Sequence, residues 1–279
     1  RKMGIFNKYN PFSILQELQF ASGERAFPEG AFLPSDQDAF YDAQLRVSSG
    51  KGSKDALFKR REQIKAFFKQ AFTADVLIIT YGLIEAWYDC ETDLYLNEMP
   101  APRFALRNPD RFKFKALTVT DCKAVIEDIV ALVRRHSKPE QKLLFTVSPV
   151  PMGRTFTTDD VIVANTTSKT TLRVAVLEVI TEKDGIDYFP SFEGAMNSQP
   201  DLVWQSDRLH VSDFIVGQLI NTFLVRYGLS PSTADEDLDT TLSTDDRLIS
   251  QFNRDVDRYK SQIIMLQNKL RKAGIKSDT

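Results

Sequence analysis

The residues best placed for chemistry are in Gln205-Ser206-Asp207-Arg208-Leu209-His210-Val211, an Asp-x-x-His motif that follows a predicted aromatic strand and leads into a predicted apolar helix. The chain has two histidines, and this one stands where a base can work. An Asp three residues ahead of a His on a turn reaches the same reaction centre, or holds the imidazole in one tautomer. Either arrangement suits a general base acting on a hydroxyl or thiol nucleophile. The same spacing also suits a His that caps or packs at a helix start. The other histidine, His136, follows Arg134 and Arg135 in the last turn of a predicted helix. Cations there complement the helix dipole, so His136 reads as structural.

Composition bounds what such a pair can serve. With 279 residues, 42% of them hydrophobic, the chain can bury one large core or one domain with an appendage. A net charge of -2, with no basic stripe among the aromatics, argues against nucleic acid. Cys90 and Cys122 are far apart and lack CxxC spacing, which argues against a disulfide scaffold or zinc site. They fit a reducing compartment, and a cytoplasmic location is expected. No metal cluster or cofactor fingerprint is read. No apolar run reaches about 18 residues, so no membrane span is expected, and no signal peptide is read. The Gly/Ser tract at 48–53 lacks Walker spacing and reads as a flexible loop.

The elements that must position the motif alternate. Residues 12–20 read as a short amphipathic helix ended by Gly23, and residues 24–53 as irregular. A strong helix is predicted over 54–72. The run 75–82 reads as a strand buried on both faces, with Gly82 allowing a turn or a ligand at its carboxyl end. Glu85, Trp87 and Tyr88 lie just beyond it. Residues 91–118 read as irregular, followed by a helix from Thr120 or Asp121 to His136. Residues 143–147 form a second buried strand, ending in Ser148-Pro149-Val150-Pro151. A polar loop over 152–167, a helix over 168–183, a short strand over 186–189 and a helix over 211–227 complete the pattern. Such alternation predicts a parallel sheet sandwiched by helices over residues 1–228. Residues 229–246 are acidic and read as a linker. Within 247–274, apolar residues from Ile249 to Leu270 recur at steps of three and four, an a/d seam that favours a homo-oligomer over a helix folded back on the domain.

Seven segments in order carry a resemblance: Asn7-Lys8-Tyr9-Asn10; Gln16-Glu17-Leu18-Gln19-Phe20-Ala21; Thr80-Tyr81-Gly82-Leu83-Ile84-Glu85-Ala86-Trp87; Thr146-Val147-Ser148-Pro149-Val150-Pro151; Val163-Ala164-Asn165-Thr166-Thr167-Ser168-Lys169; Asp187-Tyr188-Phe189-Pro190-Ser191-Phe192-Glu193; and Asp207-Arg208-Leu209-His210-Val211. Over roughly residues 4–227 the chain resembles the GSCFA-domain family, which is grouped with the SGNH (GDSL-like) hydrolases and known mainly from bacterial proteins linked to surface polysaccharide. The resemblance implies a three-layer αβα fold with a flavodoxin-like parallel sheet and chemistry at its carboxyl edge. It implies an ester-bond enzyme, an esterase, deacylase or O-acyltransferase, acting on a glycan. Asp207 and His210 would then complete a triad.

This chain departs from the pattern twice. The Gly-Ser-Cys-Phe-Ala motif is absent, and the chain starts at Arg1 rather than Met, so it reads as a fragment or processed piece with the nucleophile expected upstream. The oxyanion Gly-x-Asn is replaced by Gly82-Leu83-Ile84, which leaves Asn7, Asn10 or Asn165 as substitute donors. Ser148 follows a buried strand, but Pro149 removes the N–H that would serve an oxyanion. Trp87, Tyr88 and Tyr188 are candidate stacking surfaces for sugars. A non-catalytic glycan-binding or oligomerisation module is the alternative.

Overall fold

Local capping chemistry sets the first helix. Asn10 accepts from the Ser13 backbone N–H, Pro11 occupies the first turn, and Gly23 ends the helix at φ 86°. This is α1 (Pro11–Ser22) in a computed structural model that describes residues 6–35, 39–45 and 51–227. A hairpin of β1 (Phe32–Pro34) and β2 (Phe40–Asp42) follows. Next come α2 (Lys54–Lys69), capped by Ser53 and continued by a 3-10 turn to Phe72, and then β3 (Val76–Tyr81). The middle of the chain holds β4 (Glu85–Asp89), β5 (Leu94–Leu96), α3 (Pro102–Arg107) and β6 (Phe112–Ala116). It continues through α4 (Val119–His136), β7 (Lys142–Val147), α5 (Val161–Glu182) and β8 (Ile186–Tyr188). The short α6 (Ser191–Met196) and α7 (Pro200–Val203) precede α8 (Asp213–Arg226). The chain divides into two units, Arg1–Phe223 and Leu224–Thr279. The acidic stretch 229–246 and the seam of 247–274 lie outside the described residues.

The fold is mixed α/β around a three-stranded parallel sheet in the order β3-β7-β8, with Tyr81 opposite Val147 and Phe145 opposite Tyr188. Ile79, Tyr81, Leu143, Phe145 and Val147 pack with Leu15 and Leu18 of α1, Val125, Ile129 and Val133 of α4, and Leu172, Val176 and Val179 of α5. The helical members recur at steps of three or four, so one stripe of each helix is buried. Each such side chain contributes roughly 1.5–3 kcal/mol when fully buried. A second, antiparallel sheet has the order β5-β4-β6.

Several expectations are corrected. β3 is not buried on both faces, since Val76 and Ile78 are 49% and 50% exposed. Among the described residues it pairs with β7 alone, and alternate residues point away from the core. The supposedly irregular stretches 24–53 and 91–118 hold the hairpin and most of the second sheet, whose strands of three to five residues are too short for a clear alternation. Glu85, Trp87 and Tyr88 therefore lie within β4. The cap of α4 is Thr118, which forms a capping box with Asp121. α5 begins at Val161 behind Asp160, because the polar run Asn165-Thr166-Thr167 is part of the helix and not a loop. The aromatic stretch before Gln205 is not a strand. Two short helices precede it, and only an isolated bridge joins Trp204 to Val211.

Candidate active site

The loops that leave β3 and β7 at their carboxyl ends border a cleft of about 1400 Å³. Gly82, Glu85 and Trp87 line it, as do Asn7, Ser148, Lys169 and His210. Ligands favour this end of a parallel sheet.

His210 comes from a tight turn. Arg208 N–H donates to Gln205 O at 2.9 Å, and Arg208 sits at φ 57°, in the left-handed region. The Gln205 N–H donates to His210 O at 2.8 Å, which closes the loop. Within it, Asp207 Oδ1 accepts the backbone N–H groups of Leu209 and His210, both at 2.9 Å. Its other oxygen, Oδ2, is 2.5 Å from His210 Nδ1. Hydrogen bonds from the His210 backbone, the imidazole and the Leu209 backbone lower the Asp207 pKa to about 2. An ionised Asp207 can only accept, so Nδ1 carries the proton. Nε2 has no hydrogen-bond partner among the described residues, and the His210 side chain is 71% exposed.

The other candidates divide. Asn7 lines the cleft, and its carbonyl accepts from Asn97 Nδ2 at 2.9 Å. Asn10 does not line the cleft. It is fully buried, with Nδ2 donating to Leu96 O and Oδ1 capping α1. Asn165 does not line the cleft, and its Oδ1 holds the Met152 N–H at 3.1 Å. The Gly82 N–H is committed to Tyr9 O at 3.0 Å, so it is not a free oxyanion donor. Ser148 lines the cleft, but its Oγ accepts from Val150 N–H and makes no hydrogen bond to His210. The Glu85 carboxylate is buried and accepts from the Thr155 hydroxyl and from Phe156 N–H at 2.9 Å, which pins the loop that carries Arg154. Trp87 builds an aromatic wall, tilted against Phe114 and edge-on to Phe156 at 5.3 Å. Its indole N–H is buried without a partner among the described residues. Tyr88 bonds Asp93 and Tyr188 bonds Glu193, and neither lines the cleft. Cys90 and Cys122 are free thiols, and burial pushes Cys122 up to about 12.

Sequence reasoning misses four residues of this region. Asn97 Oδ1 accepts from Tyr9 N–H at 2.9 Å and from the Ser13 hydroxyl, which fixes the 7–9 segment against the cleft. Lys8 of that segment reaches Glu17 at 2.5 Å inside a buried cluster, where Arg61 bridges Glu17 and Asp42. Lys169 is 1% exposed and donates to Gly82 O at 2.6 Å. Its signal is its register, three and seven residues ahead of Leu172 and Val176 on the buried stripe of α5. Arg154, on the pinned loop, lines the cleft with no partner among the described residues. Among the described residues no three His, Cys, Asp or Glu side chains group as metal ligands, and no helix is long and apolar enough to cross a membrane.

Fold and site together define a mixed α/β domain that presents an Asp–His pair beside the carboxyl edge of a parallel sheet. The chain belongs to the GSCFA family, whose model matches residues 2–223. No curated protein and no solved structure matches it.

Proposed function

We propose that this domain supplies the base of an SGNH-like ester-bond enzyme, an esterase, deacylase or O-acyltransferase, acting on an acylated glycan. The observation that carries the reading is the hydrogen bond between Asp207 and His210 Nδ1, with Nε2 left without a partner among the described residues and His210 lining a large cleft. His210 takes the proton of a Ser or Cys nucleophile, and Asp207 fixes the tautomer and offsets the imidazolium charge. In this reading the nucleophile is a Ser or Cys of the family's naming motif. The Trp87 wall offers an apolar face to a sugar ring. Two free cysteines fit a cytoplasmic setting, and the seam within 249–270 is read as a homo-oligomer contact.

The test is labelling with a serine- or thiol-directed acyl probe, performed on a polypeptide that carries the family's naming motif. His210→Ala is expected to abolish labelling, and undiminished labelling sinks the triad. The alternative, a non-catalytic glycan-binding module, is favoured by two observations. Among the described residues no hydroxyl or thiol is hydrogen-bonded to His210, and Ile84 stands where the superfamily's oxyanion Asn would be. It predicts saccharide binding with no labelling at all.

A further inference from the structure

Lys169 is a charged group that the proposed chemistry leaves unused. It is 1% exposed, yet it lines the cleft. Its one hydrogen bond is to Gly82 O, and it has no carboxylate partner among the described residues. An ammonium has three N–H donors, so two are left over. If tying down Gly82 O were the whole task, a neutral donor would do it without the desolvation of a charge, which costs several kcal/mol. Ser168 shows the cheaper solution next door, its hydroxyl accepting from Ile84 N–H at 3.0 Å.

The other charges of the cleft define what Lys169 can receive. Lys8 is committed to Glu17 and Gln44 O. Glu85 is saturated by Thr155 and Phe156. Arg154 sits on the loop that Glu85 pins and has no partner among the described residues. Glu98 also lines the cleft, but among the described residues neither Lys169 nor Arg154 has a carboxylate partner, and two such cations suit an anionic ligand.

We propose that the cleft binds an acidic saccharide and that Lys169 receives its carboxylate, with Arg154 lining the same cleft as a second cation. This rests on the reading of the cleft as a saccharide site, and it adds the substrate class.

The experiment is an NMR titration of the 279-residue chain with glucuronate, with glucose as its neutral counterpart, and with inorganic phosphate. Glucuronate is expected to bind about tenfold more tightly than glucose and to move the amide signals of Gly82, Arg154 and Lys169. Lys169→Met is expected to remove that preference, and Arg154→Gln to reduce it severalfold while leaving the fold intact, since Arg154 is exposed and unpaired. Should Lys169→Met fail to fold, the wild-type preference and the Arg154→Gln titration decide. Equal binding of glucose and glucuronate overturns the charge assignment but leaves the saccharide reading standing. Absence of binding by either sugar overturns both. Phosphate binding more tightly than glucuronate overturns the carboxylate assignment. A preference unchanged in both variants removes these two residues from the site.

Discussion

The carbonyl oxygen of Tyr9 accepts two consecutive backbone N–H groups, from Gly82 at 3.0 Å and Leu83 at 2.8 Å. The Tyr9 backbone is pressed so close to β3's exit that a Cβ on Gly82 would lie 2.8 Å from that oxygen. Glycine is therefore required here for space. Gly82→Ala is expected to break both bonds and to destabilise the domain by about 1–3 kcal/mol, the cost of leaving partly buried backbone groups unpaired. Urea unfolding measures the loss, and hydrogen exchange at Leu83 should quicken in parallel.

The Asp207–His210 pair makes a prediction that needs no substrate. An ionised Asp207 keeps the proton on Nδ1. Asp207→Asn offers an amide donor to Nδ1 and is expected to shift neutral His210 toward the Nε2–H tautomer. Long-range proton–nitrogen NMR of the imidazole distinguishes the two forms. An unchanged tautomer in the variant would show that Asp207 does not set it.

The buried cluster of Lys8, Glu17, Arg61 and Asp42 is balanced, two cations against two acids. Burial alone would raise the Glu17 carboxyl, and Arg61 with Lys8 reverses this and holds it below the usual range. Glu17→Gln leaves two buried cations facing one acid, and a loss of about 3–5 kcal/mol is expected. Denaturant midpoints test it. A loss below about 1 kcal/mol, the scale of an exposed pair, would show that water reaches the cluster.

Lys169 gives stability a pH dependence of known sign. Burial lowers its pKa from 10.5 to about 8. Below about 8 both native and unfolded chains hold the proton, and the native state carries the full cost of the buried ammonium. Between about 8 and 10.5 the unfolded chain keeps the proton that the native state has shed, so stability rises with pH across this window. Relative to Lys169→Met, wild type is expected to gain a few kcal/mol between pH 7 and pH 10. The comparison cancels groups that titrate in both proteins, and a flat difference means the ammonium is hydrated.

What could be read from the sequence follows the physics of each signal. Long stripes such as Val125, Ile129 and Val133 repeat often enough to declare a helix, and the run 143–147 declares a strand. β4 to β6 escape because strands of three to five residues end before an alternation is established. The Asp207–His210 contact is legible because both partners lie on one turn. Asn97, 90 residues from the Asn7 carbonyl it holds, has no local signature at all. Lys169 is visible in principle as a charge in an apolar register, but its meaning depends on Gly82, 87 residues away.

β3 has a further consequence, for behaviour in concentrated solution. Its outer rim pairs with no strand among the described residues, and Val76 and Ile78 stand half exposed beside it. A bare, β-branched rim of this kind can template pairing with a second molecule. Pairing through this rim would give a larger species in light scattering, and a charged residue at Ile78 would weaken it.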